Sequence, residues 1–208
     1  MSSTNRGYQR HISDLYITPI HPILDFLYAF MQVDYISSCS RILDPCAGGN
    51  AKYDMSYPLA LAKHGHVNPN NITTLDIRVD SRAMIRTDFL LYKPETKFDL
   101  IITNPAFNIA LEIVKHALTL VEYDGLVIML LRLNFFGSQQ RKAFFKENMP
   151  KYCFIHSKRI SFFPEDVKFV DAEGIERLYK KGSTDSCEYM HAVWEKSYKE
   201  DYCKTFVI

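Results

Sequence analysis

The chain has 208 residues, enough for one domain with a full hydrophobic core, and its composition is that of an ordinary globular protein. A formal net charge of +1 excludes a global electrostatic drive toward nucleic acid, so any such binding must come from a local patch. The five cysteines are odd in number, widely spaced and without a CxxC pair; they support neither a disulfide framework nor a zinc site and fit a reducing cytosol.

Residues 1–13 read as a mobile arm without the apolar stretch of a signal peptide, and no later run approaches membrane-spanning length. In Asp14-Leu15-Tyr16-Ile17-Thr18-Pro19, Thr18 suits a helix N-cap and Pro19 the first helical turn. Apolar residues at helical spacing then predict a helix over His21–Val33. Tyr16 and Thr18 serve either as local caps or as lining of a cofactor pocket, since they precede the first strand. That strand, Arg41–Asp44, ends in Pro45-Cys46-Ala47-Gly48-Gly49-Asn50, whose adjacent glycines allow close backbone approach to a ligand. Asp44 there offers a carboxylate to an ammonium or hydroxyl group. A helix over Met55–His64 with Gly65 as its C-cap follows.

Asn71–Ile77 reads as the second strand, and Asp76 at its carboxyl end is placed to accept both ribose hydroxyls of a nucleoside. A weaker strand, Ala83–Arg86, precedes Asp88, an acceptor for an exocyclic adenine amine, and Phe89, which flanks the ring. Helix or turn capping is the competing reading of each aspartate. The apolar run Phe98–Thr103 reads as a strand buried on both faces, stopped by Pro105. Its exit, Asn104-Pro105-Ala106-Phe107, places an amide, a free carbonyl and an aromatic face together, a combination suited to an amine on a flat ring. An amphipathic helix over Ile109–Val121, an Asp124-Gly125 turn, a strand over Leu126–Leu131 and a helix over Ser138–Asn148 capped by Ser138 come next. Cys153–His156 and Met190–Trp194 read as strands, separated by the polar segment Pro164–Ser186, a loop or target-contacting insertion.

Alternating strands and helices predict an α/β fold, a doubly wound parallel sheet in one domain. Ligands of such sheets bind beyond the carboxyl ends of the strands, so Asp44, Asp76, Asp88 and Asn104 line one edge. A nucleoside pocket beside an amine-facing site fits methyl transfer from S-adenosylmethionine, for which neither a metal nor a covalent nucleophile is required. Arg132 and Arg159, by their places after strands, are candidates for phosphate contacts; Arg141, Lys142, Lys146, Lys151 and Lys158 lie in the same interval, and a solvated surface is the plainer reading for each alone.

The chain resembles the N6-adenine DNA methyltransferases, especially the small enzymes of bacteriophages and prophages. DLYITP is similar to their Tyr-x-Thr-Pro element, DPCAGGN to their DPxxGxG cofactor loop and NPAF to their catalytic [DN]PP[YF]. Asp76, and Asp88 with Phe89, match the ribose and adenine contacts by position; LRLNFFGSQQR, RISFF and HAVW resemble segments of the phage proteins, so the similarity spans residues 14–195. It implies a Rossmann-like class I methyltransferase fold with a mostly parallel seven-stranded sheet flanked by helices. S-adenosylmethionine would be held by Tyr16, Thr18, Asp44, Pro45, Ala47, Gly48, Asp76, Asp88 and Phe89. Asn104, Pro105 and Phe107 would be catalytic, Phe107 also stacking the target base, with adenine-containing DNA as partner in the cytoplasm of a bacterial host. Ala106 stands where the family has its second proline, and Asn50 where a second loop glycine is usual. No separate target-recognition block follows the catalytic strand. Transfer to RNA or a protein amide, or a catalytically impaired module that binds S-adenosylmethionine or DNA, are the alternatives.

Overall fold

The computed structural model describes residues 17–65, 67–162, 168–170, 176–178 and 187–208. The expected arm at 1–13 and Tyr16 lie outside the described residues, as does most of Pro164–Ser186. The elements in order are α1 (Ile20–Phe30), β1 (Ile42–Asp44), α2 (Ser56–His64), β2 (Ile72–Asp76), β3 (Ile85–Arg86), β4 (Phe98–Thr103), α3 (Ala110–Leu120), β5 (Val121–Arg132), α4 (Lys142–Glu147), β6 (Tyr152–Ile155), β7 (Lys168–Val170), β8 (Glu176–Leu178), β9 (Tyr189–Glu195) and β10 (Lys204–Val207).

The main sheet runs β10-β6-β9-β5-β4-β1-β2-β3, and β7 and β8 pair antiparallel as a separate hairpin. All neighbours in the main sheet are parallel except the two pairs that β9 makes, with β5 and β6. Its eight strands exceed the expected seven. The additional strand, β10, is a four-residue edge element held by ladder bonds to β6 and by Phe206, which stacks on Phe154 at 4.8 Å. β1 sits between β2 and β4, so successive units run outward to either side of the β1–β4 boundary. Such a reversal opens a crevice at the strand ends.

Both faces of the sheet are covered. Leu126, Ile128 and Leu130 face one layer with Phe26, Leu27 and Phe30 of α1; Val127, Met129 and Leu131 face the other with Ile113, Val114 and Ala117 of α3. This two-sided burial explains the unbroken apolar run in β5.

Several local expectations shift. Pro19, not Thr18, is the N-cap of α1, and no side-chain cap bond is made. Asp124 and Gly125 form no turn between elements but lie inside β5, where the register against β4 slips between Phe98 and Leu100. Ser138 makes no side-chain cap, and a 3₁₀ turn at Gln139–Arg141 precedes the short α4. Gly65 does close α2, at φ +83. No helix among the described residues is long and apolar enough to cross a membrane.

Candidate active site

The ends of β1, β2 and β4 open into a cavity of about 210 Å³. Thr18, Pro45, Ala47, Gly48, Asp76, Asp88, Phe89, Asn104, Pro105 and Phe107 all line it. Asp44, Arg132 and Arg159 do not.

The loop after β1 is built by its glycines. Gly48 and Gly49 have φ +65 and +66, values costly for other residues. A Cβ on Gly48 would meet nothing within 4 Å, whereas one on Gly49 would come within 2.7 Å of Met55 Cγ. One glycine therefore leaves room above the loop and the other permits packing below it. Asn50 closes the loop as an Asx turn: its Oδ1 accepts from Lys52 N at 2.9 Å and Tyr53 N at 3.1 Å.

Asp76 ties that loop to β2. Its Oδ2 accepts from Gly48 N at 2.8 Å, and its Oδ1 from Arg78 N at 2.8 Å and Arg78 Nε at 3.3 Å. The Arg78 guanidinium also donates to Gly49 O at 2.9 Å, and Ser81 Oγ to Gly48 O at 2.6 Å. Neither Arg78 nor Ser81 is among the residues expected from sequence. Arg78, two residues beyond a strand-end carboxylate, carries a signal for an ion pair; Ser81 carries none. Asp88 caps a 3₁₀ turn through Leu90 N at 2.9 Å. Phe89 packs edge-on against His116 at 4.9 Å, contributing one side to the cavity.

Asp44 is 0 % exposed and lies beneath the loop rather than on the cavity wall. Thr103 Oγ1 donates to its Oδ1 at 2.6 Å and Cys46 N at 3.3 Å, while Oδ2 is buried with no partner among the described residues. Burial raises its pKa to about 7 against the pull of those two bonds. With the unfolded value near 3.8, the folded chain holds the extra proton between these limits, so Asp44 costs stability as pH rises from about 4 to about 7, and the cost stays above that. The Asp44→Asn substitution keeps the acceptor for Thr103 and Cys46 without the charge. Denaturant titrations from pH 5 to 9 should show Asp44→Asn gaining on the wild type as pH rises, levelling above about 7 at on the order of 2–4 kcal/mol. The comparison with wild type cancels the opposite slope from the buried histidines described next.

Tyr57, at the cavity wall, meets His191 Nε2 at 3.0 Å, and His191 Nδ1 meets His156 Nε2 at 2.8 Å. Burial depresses both imidazoles, His156 to about 4 and His191 well below its ordinary value, so the chain of rings is neutral near pH 7.

At the end of β4, Asn104 Nδ2 donates to Thr18 Oγ1 at 3.0 Å. Its Oδ1 is buried and has no partner among the described residues. Thr18 is 5 % exposed, so the hydroxyl that the sequence offered as a helix cap bonds the amide instead. Ala106 has φ −58, a value proline favours, and its N–H is directed at the Cys46 sulfur. The turn thus keeps a proline-compatible shape without the ring. Ala106→Pro should fold with stability within about 1 kcal/mol of wild type, the stiffer unfolded chain offsetting the lost N–H···S contact. Thermal melts of the two proteins check this.

Phe107 packs against Tyr189 at 5.7 Å and Phe162 at 6.3 Å, and the Arg132 guanidinium lies 4.9 Å from its ring centroid. Arg132 is therefore brought to the aromatic site by its place at the end of β5 opposite Tyr189. Arg159 is exposed and pairs with Glu188 at 3.5 Å, one residue before Tyr189.

No protein-family model matches the chain, and no curated protein matches it in sequence. Solved structures do match in shape. A Listeria monocytogenes protein assigned as a class I S-adenosylmethionine-dependent methyltransferase superposes with TM-score 0.59 at 13% identity, over 92% of this chain and 65% of its own. A Pyrococcus horikoshii protein assigned as an RNA methyltransferase gives 0.57 at 10% identity, over 89% of each chain. The M protein of the type I restriction enzyme EcoKI gives 0.55 at 10% identity, over 91% of this chain but 47% of its own. The chain thus spans less than two thirds of two of these neighbours, and what all three share with it is the class I methyltransferase fold.

Proposed function

We propose that this chain transfers a methyl group from S-adenosylmethionine to the exocyclic N6 amine of adenine in DNA, as an enzyme of the phage and prophage type. The observation that carries the reading is Asn104: a buried amide oxygen without a partner among the described residues, at a parallel strand end, in the cavity that also holds the glycine loop.

The loop fits the cofactor. Gly48 leaves open space where any other residue would place a Cβ, as a ligand lying against the backbone requires. Asp76, whose Oδ2 keeps one lone pair beyond its bond to Gly48 N, would accept from a ribose hydroxyl. Asp88 would accept from the adenine amine, and Phe89 would border its ring. S-adenosylmethionine supplies a methyl already activated on sulfonium sulfur: the amine nitrogen bonds to the carbon as the carbon–sulfur bond breaks, the pair stays on sulfur, and the nitrogen sheds a proton to water.

The chain's own part is positioning. The Asn104 oxygen and the Pro105 carbonyl accept the two amine N–H bonds, which draws the nitrogen lone pair out of conjugation with the ring. Phe107 holds the base by stacking, a contribution of about 1–3 kcal/mol. Arg132 beside it and the exposed Arg159, on release of Glu188, would supply the local cations that a nearly neutral chain needs to hold a phosphate backbone. The restriction-enzyme M protein among the structural neighbours supports DNA as the acceptor.

One observation favours RNA as a second reading: the Pyrococcus neighbour assigned as an RNA methyltransferase matches the chain over 89% of both lengths, without an added block. Transfer of tritiated methyl to DNA, RNA and protein in parallel, followed by mapping of the modified group, decides. N6-methyladenine in DNA is the expected product. Label confined to RNA or protein overturns the choice of acceptor, and cofactor binding without transfer to any of them leaves the impaired module as the answer.

A further inference from the structure

We propose that Thr18 is a positioning residue for Asn104: its hydroxyl oxygen takes the amide nitrogen and so leaves the amide oxygen to face the incoming amine. The proposal rests on the methyl-transfer reading and deepens it by naming what sets the acceptor.

The two ends of a carboxamide are nearly equal in shape and opposite in chemistry. The oxygen accepts an N–H bond; the nitrogen presents donors, which would repel an amine. Strand β4 fixes where Asn104 sits, but a half-turn of the side chain would exchange the two ends at no cost to the backbone. Thr18 holds the side chain in one of these two arrangements. Its Oγ1 accepts from Nδ2 at 3.0 Å, and the amide oxygen is left buried with no partner among the described residues. A stranded acceptor of this kind persists where a ligand is to supply the donor.

Thr18 is itself well placed to hold the amide. It is buried, and Pro19 behind it has φ −59 and leads directly into α1, whose Phe26 and Leu27 are anchored in the core. The threonine makes no cap bond to that helix, so its hydroxyl is not drawn to the nearby backbone N–H groups. Thr18 also lines the cavity, so the two roles are told apart by what each would change: a positioning residue acts on turnover, a cofactor contact on affinity.

The test compares Thr18→Val, which keeps shape and removes the hydroxyl, with Thr18→Ser, which restores it. Three quantities are read: kcat for methyl transfer, Kd for S-adenosylmethionine by calorimetry, and the ¹⁵N–¹H signals of the Asn104 side-chain amide in protein without acceptor, identified by their loss in Asn104→Ala. In the valine variant the amide signals should move toward those of a free carboxamide and kcat should fall about 10-fold or more, with Kd within about twofold of wild type. Serine should restore both signals and kcat. Wild-type kcat with unmoved amide signals overturns the proposal. So does a Kd raised about 10-fold with kcat preserved, which makes Thr18 a cofactor contact. If the wild type transfers methyl to no acceptor, the functional reading fails, and the amide signals alone then decide for or against Thr18. Thr18→Ala is read in the same way should the valine variant unfold.

Discussion

Asn104→Ala should lower single-turnover methyl-transfer rates by about 10²–10³-fold, while the affinity for S-adenosylmethionine should stay within a few-fold of wild type. The magnitude is that of removing one oriented hydrogen-bonding group aimed at charge that develops in the transition state. The direction follows from the location. Asn104 makes one described bond, to Thr18, and none to the glycine loop or to Asp76. Alanine there removes the acceptor without disturbing the cradle. Calorimetric titration and rapid-quench measurement on the same preparation separate the two effects. Full turnover in the variant would show that the amine is held by some other group.

Asp76→Ala produces the opposite split. It weakens S-adenosylmethionine by on the order of 1.5–3 kcal/mol, through loss of a charge-assisted acceptor for the ribose. The same carboxylate holds Gly48 N–H and the Arg78 guanidinium, and both residues of the ion pair are largely buried, at 8% and 9% side-chain exposure. Removing it therefore also leaves a buried cation with only Gly49 O and the exposed Asp80 carboxylate at 3.4 Å, so the melting temperature should drop as well. Asp76→Asn keeps an acceptor for Gly48 but not the charge opposite Arg78, and its affinity should lie between the two. Cofactor affinity unchanged in the alanine variant, measured on protein shown to be folded, would remove Asp76 from the site.

The parts of this chain that could be read from residues alone are those in which one position answers to one physical demand. The unbroken apolar runs of β4 and β5 announce burial on both faces, adjacent glycines announce a turn of positive φ, and a proline after a polar residue announces a strand end. From these the sheet and the line of residues along its edge follow. What escaped was decided by partners distant in sequence. Thr18 reads either as a cap or as pocket lining; it does line the cavity, and its bond to Asn104, 86 positions away, is what neither reading names. Asp44 ends its strand as read, but its bond to Thr103, 59 positions on, is not written in the local sequence. Asp124-Gly125 reads as a turn, and its place inside β5 shows only in the slipped register against β4. β10 was invisible because a short edge strand, exposed at most of its positions, needs no apolar signature.

The place of β9 has a consequence for the order in which the molecule comes into being. Strands β1 to β5 are complete by Arg132, and with them the cradle, the Asn104 turn and one full layer of helices. The next strand in sequence, β6, finds no partner among them, for its seat is on the far side of β9. Only when Tyr189–Glu195 has left the ribosome can it slide in between, antiparallel to both neighbours, and join the halves. Pairings this remote in sequence form late, because the intervening chain must first be gathered in. Tyr189, which walls Phe107, arrives with that strand. On a chain still being synthesised, the cofactor cradle can thus take shape before the aromatic site beside it does.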